Sequence, residues 1–187
     1  MRPHLSISRR TSRTPFSSRV EAAGATGYTV YNHTLLATSF RGIEVDYWHL
    51  CENVQVWDVS CEKQVTLMGP GANQLAQYMT PRDLSNAQVG RCYYLPMCDE
   101  NGSMISDGVG IKINDRHWRL SVADSDVLLW AKGLAVGFGL DVEVREPEIF
   151  PLAVQGPKAE ALMCRVFGDA IKELGFFAIA PFVYKGK

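Results

Sequence analysis

At 187 residues, 47% apolar and 21% charged, the chain is long enough to close one domain around a sizeable core. A formal net charge of −1 offers no basic face for nucleic acid, and no apolar run reaches the roughly 18 residues needed to span a bilayer. Five cysteines, at 51, 61, 92, 98 and 164, include no C-x-x-C pair, which argues against a disulfide framework or a structural zinc site and for a reducing, cytoplasmic setting.

The first 20 residues carry five arginines, five serines and no acid. That composition is like a transit peptide, but Pro3 and Pro15 break any amphipathic helix, so a basic, irregular lead-in is expected. Thr26 to Tyr31 reads as a short strand, followed by a loop through Asn32-His33. Glu44 to Val54 fits a helix with Val45, Trp48 and Cys51 on one face. Val54 to Ser60 alternates as a strand, and Gln64 to Met68 reads as another. Leu67-Met-Gly-Pro-Gly-Ala-Asn-Gln-Leu75 is then echoed by Val154-Gln-Gly-Pro-Lys-Ala-Glu-Ala-Leu162, 87 residues on. Each copy follows an apolar run and opens a helical pattern with Pro in the first turn, which predicts two related strand–Gly-Pro–helix units.

The stretch Gly90 to Trp130 holds two turn signals, Asp99-Glu100-Asn101-Gly102 and Asn114-Asp115, between aromatic-rich runs. Three consecutive antiparallel strands are expected near 91–98, 103–113 and 117–123. Val109, Ile111 and Ile113 alternate with Gly110 and Lys112, so the former are expected to face the core. A helix follows Ala123, with Asp124 or Ser125 as N-cap. Leu140 to Glu146, Ile149 to Gln155 and Phe176 to Tyr184 read as three further strands. Strands mixed with packed helices give an α+β class with mixed or antiparallel sheets.

Familiar catalytic motifs are absent. There is no G-x-G-x-x-G, P-loop or G-x-S-x-G, and the four histidines, at 4, 33, 49 and 117, show no metal-ligand spacing. Tyr28, Tyr31, Trp57, Tyr93, Tyr94 and Trp118 fall on expected strands. Such aromatics are usually core or cross-strand pairs, but they could also wall a pocket for a flat heterocycle or an organic cation. Asp107, between Ser106 and Gly108, is the acid that stands out; Gly108 would let a ligand approach the backbone closely.

Val56-Trp-Asp-Val-Ser60, Gly69-Pro70-x-Ala72, Met79-Thr-Pro-Arg-Asp-Leu84, Gly90-Arg-Cys-x-Tyr94 and Gly102-x-x-x-x-Asp107 resemble the folate-dependent aminomethyltransferase family, which includes the T-protein of glycine cleavage. The chain has Ser60-Cys61-Glu62 where T-proteins carry Ser-His-Met, Ser106-Asp107 where they carry two acids, and Ala123 in place of an Asn. These departures lean towards the family's dimethylsulfoniopropionate-demethylase branch. The resemblance implies methyl transfer from a sulfonium to N5 of tetrahydrofolate, with no metal. It places Asp107 as the catalytic residue, with Tyr94 and Ser121 beside it in the folate slot and Tyr31 and Trp57 on the sulfonium side. The implied partner is a small-molecule sulfonium or aminomethyl donor, with neither nucleic acid nor membrane, and a homodimer is the assembly to test. Residues 1–53 would form a lead-in and helix. Residues 54–187 would form a folate-binding-like domain, with no counterpart of the family's C-terminal half. The alternatives are aminomethyl transfer of the glycine-cleavage type, or a folate-binding module without turnover.

Overall fold

The computed structural model describes residues 8–186. The chain divides into two compact units, residues 8–61 with 150–162, and residues 62–149 with 163–186.

The first unit opens with helix α1, Ser17–Ala22, where an irregular lead-in was expected; the expectation for residues 1–7 lies outside the described residues. Pro15 lies before the N-cap Phe16 and so does not interrupt this helix. The Thr14 hydroxyl accepts the Phe16 N–H at 3.1 Å, and Ser17 Oγ accepts the Thr14 N–H at 2.9 Å. Strands β1, Gly27–Tyr31, and β2, Thr34–Ser39, pair as a hairpin. Its two turn residues, Asn32 (φ 47°) and His33 (φ 57°), are both left-handed, the geometry that matches strand twist in a two-residue turn. Helix α2, Ile43–Glu52, follows. The face expected to be buried is not buried: Val45 and Trp48 are both more than half exposed. Strand β3, Gln55–Asp58, pairs antiparallel with β9, Leu152–Gln155.

The second unit is a five-stranded antiparallel sheet in the order β5-β6-β7-β4-β8. Its strands are β4, Gln64–Met68; β5, Arg91–Cys98; β6, Met104–Asn114; β7, His117–Val122; and β8, Glu143–Arg145. Helix α3, Ala72–Met79, buries Ala72, Leu75, Ala76 and Met79. Helix α4, Val127–Gly137, buries Val127, Ala131 and Ala135. Both pack on one sheet face with Val65, Leu67, Leu95, Met97, Trp118, Leu120 and Val122 in a single apolar cluster. Each large side chain buried there contributes about 1.5–3 kcal/mol. Trp118 is buried without cost to its polar edge, because its Nε1–H donates to Asn73 Oδ1 at 2.7 Å.

The facing of β6 differs from expectation. Ser106, Gly110 and Lys112 are buried, while Val109, Ile111 and Ile113 are half-buried on the second face. Larger neighbours occupy the space above Gly110, where a Cβ would lie 2.2 Å from Leu95 Cδ1. Lys112 threads its stem through the core face and delivers its ammonium to the Ala87 carbonyl at 2.9 Å and Asp115 at 3.1 Å. Two further expectations fail for backbone reasons. The N-cap of α4 is Asp126, whose carbonyl accepts the Leu129 and Trp130 N–H groups. Residues 176–184 form no strand: Phe177 is left-handed (φ 57°), Pro181 lacks an N–H, and only Ala178 bridges Arg91.

The Gly-Pro echo is structural. β4 leads through Gly69-Pro70 into α3, and β9 leads through Gly156-Pro157 into α5, Ala159–Phe167. In the first copy Ala72 N–H reaches Gly69 O (3.2 Å), Leu75 N–H reaches Gly71 O (2.9 Å) and Gly71 N–H reaches Asp141 O (2.9 Å). In the second copy Ala159 reaches Gly156 (3.0 Å), Leu162 reaches Lys158 (3.1 Å) and Lys158 reaches Asn53 (3.1 Å). Gly69 (φ 134°) and Gly156 (φ 113°) share the positive φ, and a Cβ on either would lie within 2.7 Å of the carbonyl oxygen just named, Asp141 or Asn53. In both copies the strand is paired by one that begins two residues after that carbonyl, β8 for β4 and β3 for β9.

Candidate functional site

Strand register assembles one group of side chains. Tyr94 on β5 pairs with Val109 on β6, and Val109 pairs with Ser121 on β7. Asp107 lies two residues from Val109 and so shares its face. Strands about 4.8 Å apart put Asp107 diagonally next to both Tyr94 and Ser121, within about 8 Å. The Tyr94 hydroxyl donates to Asp107 Oδ2 at 2.9 Å. That bond to the carboxylate, ahead of desolvation, raises the Tyr94 pKa above its ordinary value, so the phenol stays a donor. Oδ1 of Asp107 meets no donor within bonding distance among the described residues. Ser121 Oγ accepts Gln64 Nε2–H at 2.8 Å. Gln64 was not foreseen as part of this group. Its signal was a polar residue opening a buried run, since Gln64 is only 5% exposed.

Gly108, beside Asp107, has a role other than the one expected. A Cβ there would lie 2.4 Å from the Ser121 carbonyl oxygen. The backbone it admits is that of β7.

His117 begins β7 opposite Met68. Its Nε2 is buried with no hydrogen-bond partner among the described residues. Burial, and then the charges of Arg119 and Arg145, push the imidazolium below its usual pKa. The unfolded chain therefore binds this proton more readily than the folded one. The stabilisation is complete above about pH 6.5 and is lost as pH falls below it towards the lowered folded value. Denaturation midpoints compared at pH 7.5 and 5.5 should show a smaller acid loss in His117→Gln than in the unaltered chain; equal losses in both would rule this out.

In the first unit a cleft of about 330 Å³ is lined by Phe40, Arg41, Asp46, His49, Trp57 and Asp58, among others. Trp57 Nε1–H donates to Gln55 Oε1 at 3.1 Å, and Gln55 Nε2–H donates to the Asp46 carbonyl at 2.8 Å. The Asp46 carboxylate accepts the Phe40 N–H at 2.8 Å. That bond, helped by Arg41 and Gly42, holds its pKa below the usual range. Asp58 Oδ1 accepts the Ser60 hydroxyl at 2.6 Å, and Oδ2 accepts the Thr14 hydroxyl. Tyr31 ends β1 opposite Thr34 and does not line this cleft. The structure therefore brings together Tyr94, Asp107 and Ser121 in the second unit, and puts Trp57, without Tyr31, in a cleft of the first. Among the described residues no three His, Cys, Asp or Glu side chains gather as a metal site, and no helix is long and apolar enough to cross a membrane.

The family model for the GCVT N-terminal domain matches residues 16–186, and the chain belongs to that family, the glycine cleavage T-protein or aminomethyltransferase family. It is 49% identical over 179 residues to dimethylsulfoniopropionate demethylase DmdA of Ruegeria pomeroyi, covering 96% of this chain and 49% of that protein. To an aminomethyltransferase of Alcanivorax borkumensis it is 33% identical over 148 residues, covering 74% of this chain and 40% of that one. The crystal structure of glycine cleavage system aminomethyltransferase T from Bartonella henselae superposes with a TM-score of 0.80 at 22% identity, over 89% of this chain and 46% of that chain, and so shares the fold. The chain spans about half the length of the curated relatives it matches.

Proposed function

We propose that this chain supplies the tetrahydrofolate face of a demethylase that moves a methyl group from dimethylsulfoniopropionate to N5 of tetrahydrofolate. The observation that carries the reading is the Asp107–Tyr94 pair beside Ser121, together with 49% identity to a demethylase of that substrate. In this reaction a methyl carbon passes from sulfur to nitrogen. The C–S bonding pair stays on sulfur, which leaves as a neutral thioether, and the proton on nitrogen is released. Tetrahydrofolate supplies the nitrogen lone pair. The residues present suit it: Asp107 Oδ1 is open to a pterin N–H, Tyr94 offers a half-exposed ring for stacking, and Ser121 is small enough to leave space beside them. A sulfonium is already a good leaving group, so the side chains chiefly align donor and acceptor and keep out water. Asp107 holds the pterin and offsets positive charge arriving on nitrogen.

The test is formation of 5-methyltetrahydrofolate from dimethylsulfoniopropionate, run on this chain and on one of the relatives' full length bearing it. Turnover with the sulfonium and none with an aminomethyl-lipoyl donor is expected. The reverse preference would move the assignment to the aminomethyltransferase reading. Tetrahydrofolate binding without turnover in either would leave a folate-binding module.

A further inference from the structure

The second Gly-Pro copy repeats the apolar positions of the first but not their burial. In the first copy Val65 and Leu67 of β4, and Val144 opposite Leu67 on β8, are all buried. The positions 87 residues after Val65 and Leu67 are Leu152 and Val154 on β9, and the residue opposite Val154 is Val56 of β3. These are apolar as well, yet Leu152 is 46% exposed, Val56 is 57% exposed and Val154 is half-buried. The helices show the same contrast. Ala72, Leu75, Ala76 and Met79 of α3 are buried. Their counterparts on α5, namely Ala159, Leu162, Met163 and Val166, keep the apolar stripe, but none of them is buried.

The first copy has a cover that the second lacks. β4 is flanked by β8 on one edge and by β7 on the other, whereas β9 pairs with β3 alone among the described residues. The second edge of β4 carries the meander β7-β6-β5, whose Trp118, Leu120, Leu95 and Met97 join α3 in the apolar cluster. An apolar stripe that is buried in one copy and open in the other marks an interaction surface. The free edge of β9 adds unpaired backbone donors and acceptors, which can take one more strand.

We propose that β9 and α5 dock a three-stranded antiparallel meander, and that the C-terminal half of the family supplies it, also when that half is a separate chain. The strand in contact runs antiparallel to β9, in the register that β7 holds against β4. Trp118 lies opposite Leu67, so the docked strand places a large apolar side chain opposite Val154. The length fits. The chain covers 49% of the Ruegeria pomeroyi demethylase, which leaves about as much sequence again, while the meander of the first copy runs only from Arg91 to Val122.

Co-expression of this chain with the part of that demethylase it does not match tests the proposal. A 1:1 complex is expected on size exclusion. Amide hydrogen exchange in β9 and α5 should be at least about tenfold slower in the complex than in the chain alone. Leu152→Asp and Val166→Asp change exposed positions, so the denaturation midpoint of the chain alone should hold, while the complex weakens at least about tenfold. Glu160→Gln, on α5 but outside the stripe, should leave the complex unaltered. Where the separate half does not fold, the exchange comparison is made on one continuous chain of the relatives' full length bearing this segment. The absence of a complex between folded halves, or β9 and α5 left unprotected in either format, overturns the proposal. Unchanged affinity in both Asp variants overturns it as well. If this chain dimerises by itself with β9 and α5 protected, the surface belongs to a second copy and the assigned partner is wrong. No readout here depends on methyl transfer, so the docking surface and the demethylase reading stand or fall separately.

Discussion

Asp107→Asn is expected to lower methyl transfer by roughly 10²-fold or more, the scale of removing one preorganised electrostatic partner at a reacting centre. The substitution keeps the side chain's shape and still leaves an oxygen to accept the Tyr94 hydroxyl, now 2.9 Å from Oδ2. What it removes is the negative charge and one acceptor. An Asn would also present its amide donors towards a pterin N–H. The fold should be untouched, because the side chain is only half-buried on the second sheet face; a shift within about 0.5 kcal/mol in unfolding free energy is expected. The measurement is kcat/KM for 5-methyltetrahydrofolate formation in a chain of the relatives' full length bearing this segment, beside a denaturation midpoint. Unchanged turnover would remove Asp107 from the site. A collapse in stability of the same variant would recast it as a structural residue.

Gly108→Ala should produce the largest loss of stability of any single-methyl change near the site. The added Cβ would sit 2.4 Å from the Ser121 carbonyl oxygen, a backbone atom that cannot move aside without opening the β6–β7 ladder. Overpacking of this kind costs about 1–3 kcal/mol or more, and a shift of several degrees in Tm should register it. Asp107 and Ser121 flank the affected pair, so tetrahydrofolate affinity should fall as well. Gly133→Ala is the control. Gly133 lies in the middle of α4 with nothing within 4 Å of its would-be Cβ, and there the methyl should stabilise slightly through helix propensity. If Gly108→Ala melts no lower than that control, the close approach of the two strands is not what the glycine serves.

The strands of the second unit were legible because period and punctuation agreed. Asn101-Gly102 and Asn114-Asp115 set the turns, and β5, β6 and β7 fell within about a residue of their expected bounds. Their facing was not legible. Alternation shows which residues share a side. It does not show which side the helices cover, and here Leu95 and Trp118 filled the space over Gly110 while Lys112 crossed the core. The chain end misled for a related reason: Phe176 to Tyr184 has the composition of a strand, but a left-handed Phe177 and Pro181 deny it a ladder. Of the candidate site, Asp107 stood out from its place between Ser106 and Gly108, its catalytic role and its company with Tyr94 and Ser121 came from resemblance, and strand register then made the three neighbours. Gln64, Phe40, Arg41 and Asp46 could not be found from sequence. Their surroundings are created by pairings and turns that bring distant segments together, as when the Asp46 carboxylate caps the loop at Phe40.

The duplicated Gly-Pro units exchange partners, and that shapes how the chain can fold. β3 precedes β4, but its ladder is with β9, Gln55 lying opposite Gln155. β4 likewise waits for β8, with Thr66 opposite Arg145. Neither repeat can complete its own sheet from local sequence, so the contact order is high and folding should be slow for the chain's size. During synthesis, at about 5–20 residues per second, β3 would stand unpaired for roughly 5–20 s before β9 is made. Its exposed edge is then open to pairing with another nascent chain, which makes the interval between these two strands the point at which a chaperone would matter most.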